Sequence, residues 1–188
     1  VSDVDAQILA LMKERDALPE GNPQINKLNA ELEAINKSAD KELLHVNWKK
    51  PYSFYYFGGD VTYRLNEYMR SAASDYSHMH NRHWVENIEE FYHLVNTGGE
   101  MDLKNQPMWQ NSAYIFHGEI VSQDALGNIN YGFFGSYCNF PQSVLMAGAG
   151  YAQWQVGNWE WKFIPTLLDD PRDTYRVFQG IEIYQELF

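Results

Sequence analysis

The chain has 188 residues, 45% of them hydrophobic, with 25 acidic against 14 basic side chains and a net charge of −11. That length and apolar content suffice for one packed domain with an appendage, or for one large domain. The charge argues against a stable nucleic-acid partner: phosphate neutralisation calls for clustered Lys and Arg, and the densest basic run is Lys49-Lys50.

No apolar run approaches the roughly 20 residues of a membrane-spanning helix, so no membrane insertion is expected. The first residues, VSDVDAQILALMKERD, are acidic and amphipathic, unlike a secretory signal. Export would then rely on a dedicated machine or a removed segment. Cys138 is the one cysteine, which excludes an internal disulfide and suits a small buried apolar side chain.

In chain order, residues 1–47 read as a helical hairpin arm or linker. Val4, Ile8, Leu11 and Leu18 recur at spacings of four, three and seven; Ile25, Leu28, Leu32, Ile35 and Ala39 repeat at threes and fours. PEGNP separates the two runs, with Asn22 placed to cap the second helix and Pro23 at its first position. Residues 48–188 read as the functional domain. Gly58-Gly59 breaks an aromatic run, and Asp60 caps a helix carrying Leu65, Tyr68, Met69 and Ala72. Trp84, Ile88, Phe91, Tyr92 and Val95 predict a second helix, stopped by Gly98-Gly99. Ala113–Val121 and Asn128–Phe134 look extended, joined through a Gly127-Asn128 turn, which predicts a small β-hairpin. Pro141 opens a helix through about Gln155, and Asp169-Asp170-Pro171 starts a last one running through Phe178, Ile181 and Tyr184. The expected fold is α+β and mostly helical: a helical hairpin, then a helical domain with a small antiparallel sheet.

Four segments, GGEMDLK at 98–104, DALGNINYG at 124–132, GAGYAQ at 148–153 and DDPRDTYRVFQGIEIY at 169–184, resemble the polymorphic toxin type 44 family, also called bacterial toxin 44. The G-N-x-x-Y-G and D-D-P-x-D units are the specific parts. Met101 and Leu126 stand where the family more often has aromatics. The resemblance implies the C-terminal toxin domain of a secreted antibacterial effector, delivered by a specialised system and neutralised by a cognate immunity protein.

Several residues could carry chemistry. Asp102 and Lys104, if extended, share one face, offering a general base and a cation for developing negative charge. As a surface ion pair they would contribute under about 1 kcal/mol. Asp124 and Asn128 flank the supposed turn; they are either local turn formers or a catalytic carboxylate and an amide that binds substrate. Tyr131 could serve as a hydrogen-bonding sugar platform. Asp170 suits a helix cap; with Asp169 and Asp173 it could instead help hold a divalent cation, or supply the second member of a carboxylate pair. Gln153 would orient substrate. Trp154, with Tyr151, Trp159 and Trp161, forms either core or a sugar-stacking wall. GAGYAQ followed by Trp is faintly like the A-x-G-L-x-Q segment of lysozyme-type transglycosylases. His78, His80 and His83 lack a third-ligand pattern such as H-E-x-x-H and read as a polar surface loop; His93 and His117 read as structural. No metal and no cofactor is expected.

These features lead to a hydrolase of peptidoglycan glycan strands acting in the target periplasm. The catalytic residues would be Asp102, Lys104, Asp124 and Asp170; Asn128, Tyr131, Gln153, Trp154 and Asp173 would bind substrate. Two alternatives stay open: a ribonuclease toxin acting in the target cytoplasm, with Lys104 and a histidine serving the phosphate chemistry, and a non-catalytic binding module using the helical arm.

Overall fold

The computed structural model describes residues 4–39, 44, 46–55, 58–111, 113–147 and 171–188. The chain divides into two compact units, Val1–Thr62 with Asn111–Gln123, and Tyr63–Gln110 with Asp124–Phe188. The fold is mostly helical with one small antiparallel sheet.

In the first unit, α1 (Val4–Asp16) and α2 (Gln24–Ser38) pack together as the apolar spacing predicts. The Asn22 side chain accepts a hydrogen bond from the Gln24 amide at 2.9 Å, satisfying one free N–H at the start of α2. Residues Val4, Ile8, Leu9 and Met12 of α1 form a core with Leu32, Val46 and Ala113. Leu9 and Met12 fall outside the single stripe read from sequence because α1 also packs on the second strand of a hairpin.

That hairpin is β1 (Ala113–Phe116) and β2 (Glu119–Ser122), with Ala113 opposite Ser122 and Phe116 opposite Glu119. His117 and Gly118 both have positive φ, the geometry that matches a two-residue turn to strand twist. The whole hairpin thus folds within a segment the sequence reading took as a single strand. Arg15 anchors the chain after the arm. Its guanidinium donates to the Trp48 carbonyl at 2.7 Å and the Lys50 carbonyl at 3.0 Å, while Asp16 accepts from the Tyr52 amide at 2.6 Å.

The second unit contains α3 (Thr62–Asp75), α4 (Ser77–His80), α5 (Trp84–Val95), α6 (Gln123–Tyr137), α7 (Gln142–Ala147) and α8 (Pro171–Leu187). Short 3-10 turns at Leu103–Asn105 and Pro107–Trp109 follow α5. Asn128–Phe134, expected as a strand after a turn, lies inside α6. Residues Asn128 to Gly135 are all buried, so the segment shows no one-sided stripe, and its glycines and asparagines imitate turn chemistry.

The glycines have another use. A methyl group at Gly132 would overlap the Val177 carbonyl of α8, and one at Gly180 would overlap the Ile129 carbonyl of α6. The two helices therefore meet backbone to backbone, closer than side-chain ridges permit. Buried Asn130 donates to the Met101 carbonyl at 2.9 Å, which ties α6 to the loop after α5. Phe91 of α5 lies between the rings of Phe134 and Phe140, with centroids 5.7 Å and 4.5 Å away.

Candidate active site

The loop after α5 owes its shape to the Gly-Gly-Glu sequence. Gly98 has φ 84°, a left-handed conformation that glycine adopts without strain. Gly99 sits against the His93 and Leu94 carbonyls with no room for a side chain. The Met101 amide then donates to the Leu94 carbonyl at 2.8 Å, so the chain doubles back along the last turn of α5. This return sets Glu100 beside Glu86, Glu89, Glu90 and His93, which wall an open groove of about 630 Å³.

The loop is fastened on several sides. Tyr68 donates to the Glu100 carbonyl at 3.0 Å, and the Gln106 amide donates to the Gly99 and Glu100 carbonyls at 3.3 and 3.2 Å. Asp102 accepts from the Gly98 amide at 3.0 Å and from the Asn105 side-chain amide. The Glu100 carboxylate accepts the Tyr76 hydroxyl. Tyr76 is fixed by an edge contact with Phe134, 5.7 Å between centroids. Burial, reinforced by the Glu100 bond and charge, pushes the Tyr76 phenol up to about 12, so it remains a donor at neutral pH. Burial also raises Tyr68, with Glu100 adding to the effect.

The expected site residues fall in different places. Asp102 and Lys104 do not lie along an extended strand. Asp102 precedes the turn at Leu103–Asn105 and holds the loop, while Lys104 reaches Asp124 at 2.5 Å. Asp124 stands in the first turn of α6, where a carboxylate also suits the helix dipole. Asn128 is 3% exposed within α6, which removes it from the surface where a substrate amide would bind. Tyr131 is 5% exposed, its ring 5.6 Å from Phe91 and its hydroxyl driven well above the usual range by burial, so it is a core residue rather than a sugar platform. Gln153, Trp154 and Asp170 lie outside the described residues, as does the rest of GAGYAQ and the tryptophans that follow it. Asp173 belongs to the first turn of α8.

The histidines have separate duties. His78 pairs with Glu90 at 2.7 Å, His80 bonds the Tyr137 carbonyl at 2.8 Å, and His83 caps α5. Among the described residues no group of three or more His, Cys, Asp or Glu side chains could hold a metal ion. Cys138 is buried beside Met79, and burial pushes its thiol up. Among the described residues no helix is long and apolar enough to cross a membrane.

Glu100, Tyr76 and His93 acquire interest only from the fold. The signal available in the chain was Glu100 itself, placed directly after the Gly98-Gly99 stop. Tyr76 is 24 residues away from Glu100, a separation no local pattern reports.

The family model of bacterial toxin 44 matches residues 90–186, from Glu90 in α5 into the last turn of α8. No curated protein and no solved structure matches the chain. The matched span takes in Glu90, His93 and the whole Glu100 loop, together with the α6–α8 crossing that supports it, and the chain belongs to the bacterial toxin 44 family.

Proposed function

We propose that this toxin domain is a hydrolase of peptidoglycan glycan strands, delivered into target bacteria, active in their periplasm and restrained by a cognate immunity protein. The observation that carries the reading is the open groove walled by four glutamates and His93. Carboxyl groups perform the acid and base work of glycosidic hydrolysis, and an open groove admits a polysaccharide. The same carboxylates, on a chain of net charge −11, repel a polyanion such as RNA. No Lys or Arg is among the groove's lining residues, and Arg82 lies 3.5 Å from the lining residue Glu90. Asp102, Lys104 and Asp124 then shape the loop and the start of α6.

The test sets purified protein against isolated sacculi and, in parallel, total RNA. Release of new reducing ends from sacculi with RNA intact is the expected result. Periplasm-directed expression should lyse or round cells, whereas cytoplasmic expression should be tolerated. RNA fragmentation with intact sacculi would replace this reading with the ribonuclease. Inertness in both assays and both compartments would favour a binding module.

A further inference from the structure

We infer that Glu100 is the catalytic base of the groove and that Tyr76 is its positioning residue, a role that rests on the glycan-hydrolase reading above. Three observations converge on Glu100. It is exposed in the groove, while its backbone carbonyl is pinned by Tyr68 and Gln106. Its carboxylate accepts the Tyr76 hydroxyl at Oε2, and among the described residues no hydrogen bond to Oε1 accompanies it. Tyr76 is itself locked by Phe134, and its raised pKa keeps the proton on the phenol.

Glu90, Glu86 and Asp102 are differently employed, and Glu89, which also lines the groove, lacks the Tyr76 bond that orients Glu100. Glu90 is shared by His78 and Arg82, and Glu86 closes the cap of α5 by accepting from the His83 amide at 3.2 Å. Asp102 Oδ2 accepts from the Gly98 amide and from the Asn105 side-chain amide. Each of these holds the scaffold, whereas the scaffold holds Glu100.

The reaction then runs as follows. Glu100 takes a proton from a water molecule as the water oxygen bonds to the anomeric carbon. The bond from that carbon to the leaving oxygen breaks, and the leaving oxygen takes a proton from His93, on the same groove, in its imidazolium form. Glu100 and His93 return to their starting states by proton exchange with solvent, so one water is consumed per bond cut. Tyr76 touches no reacting atom; it fixes the rotamer of Glu100, which in a side chain with three free torsions is otherwise averaged over many orientations.

The experiment measures reducing-end release from sacculi by the full chain and its variants. Glu100→Gln and Glu100→Ala should lower kcat by about 100- to 10,000-fold with an unchanged melting transition, since the side chain is exposed. Sodium formate should restore part of the Glu100→Ala rate and none of an Asp102→Ala loss. Tyr76→Phe should lower kcat about tenfold with KM unchanged, and should cost nothing further on the Glu100→Gln background, as expected for residues acting as a unit. An active wild type whose Glu100→Gln variant keeps its rate would overturn this role and leave the hydrolase reading standing. Full additivity of the two substitutions would overturn the positioning role of Tyr76. A wild type inert on sacculi would overturn the hydrolase reading, and the role of Glu100 with it.

Discussion

The arm helices and α6 are built on opposite plans. In α2 only Leu28 and Leu32 are buried, so the polar residues between them draw the apolar stripe clearly. In α6 eleven residues from Ala125 to Tyr137 are buried, with no solvent face to give contrast. The first kind of helix advertises itself through period, because water selects one side of it. The second is specified by what surrounds it, and its sequence is free to include residues that elsewhere make turns. Glycine separates the two plans most clearly. Gly21, between α1 and α2, has φ 82° and nothing within 4 Å of where a side chain would start; Gly180 has the Ile129 carbonyl there. One glycine serves a turn, the other an approach between backbones.

The largest expected effect breaks this contrast directly. Gly180→Ala would force α8 away from α6 and should cost about 3 kcal/mol, the upper part of the overpacking range. Gly132→Ala should behave alike, against the Val177 carbonyl. Gly21→Ala meets no neighbour and should cost only about 1 kcal/mol, the penalty for a left-handed alanine. Thermal or urea unfolding of the three variants checks the ranking. Equal losses at Gly21 and Gly180 would mean that α6 and α8 do not depend on their close crossing.

This explains how far the chain could be read unaided. The helices α1 and α2, the Asn22 cap between them, the Asp60 start of α3, the stop at Gly98-Gly99 and the Pro171 start of α8 all rest on local signals, and all stand in the structure. The toxin family was legible too, through short motifs. The strand expected at 128–134 failed because Gly127-Asn128 and the aromatic residues after it are ambiguous until α8 is in place. The surroundings of the candidate carboxylates were illegible for a related reason. Asp102 and Glu100 stand two apart in one motif, and their division of labour depends on Gly98, Asn105 and Tyr76. Only the return of the chain along α5 decides which carboxylate is tied down.

A middle-sized effect sharpens the arm side of the contrast. Arg15, its side chain 10% exposed, holds segment 48–52 to the hairpin tip. Arg15→Ala leaves two carbonyls without their charged donor and should cost about 2 kcal/mol. Hydrogen exchange should show the loss at the Tyr52 amide first. Burial raises the Asp16 carboxyl, but its bonds from Arg15 and the Tyr52 amide, with the Arg15 charge, outweigh burial and hold it below its usual value. A depressed folded pKa stabilises above the unfolded value and loses that contribution as pH falls through the folded one. The first unit should therefore loosen progressively below about pH 4, the unfolded Asp range, and the Arg15→Ala variant should show a weaker acid dependence. An identical acid profile in both proteins would remove Asp16 from this role.

The smallest effect belongs to the charged start of α6. Lys104 and Asp124 lie 2.5 Å apart, but their side chains remain 43% and 37% exposed, and salt screens such a pair. A double-mutant cycle of Lys104→Met and Asp124→Asn should give a coupling below about 1 kcal/mol that shrinks further in 1 M salt. Methionine keeps the stem that lies 3.7 Å from the site of a Gly127 side chain, so packing is largely preserved. Activity on sacculi should stay within about threefold in each variant, because a mutated scaffold pair removes no group from the transition state. A hundredfold loss of kcat in Asp124→Asn, with the melting transition unmoved, would instead place that carboxylate in the chemistry. A small coupling with retained activity would agree with the comparison from which the prediction comes: α6 is fixed by the backbones and rings packed around its length, and the ion pair at its first turn contributes little to where it sits.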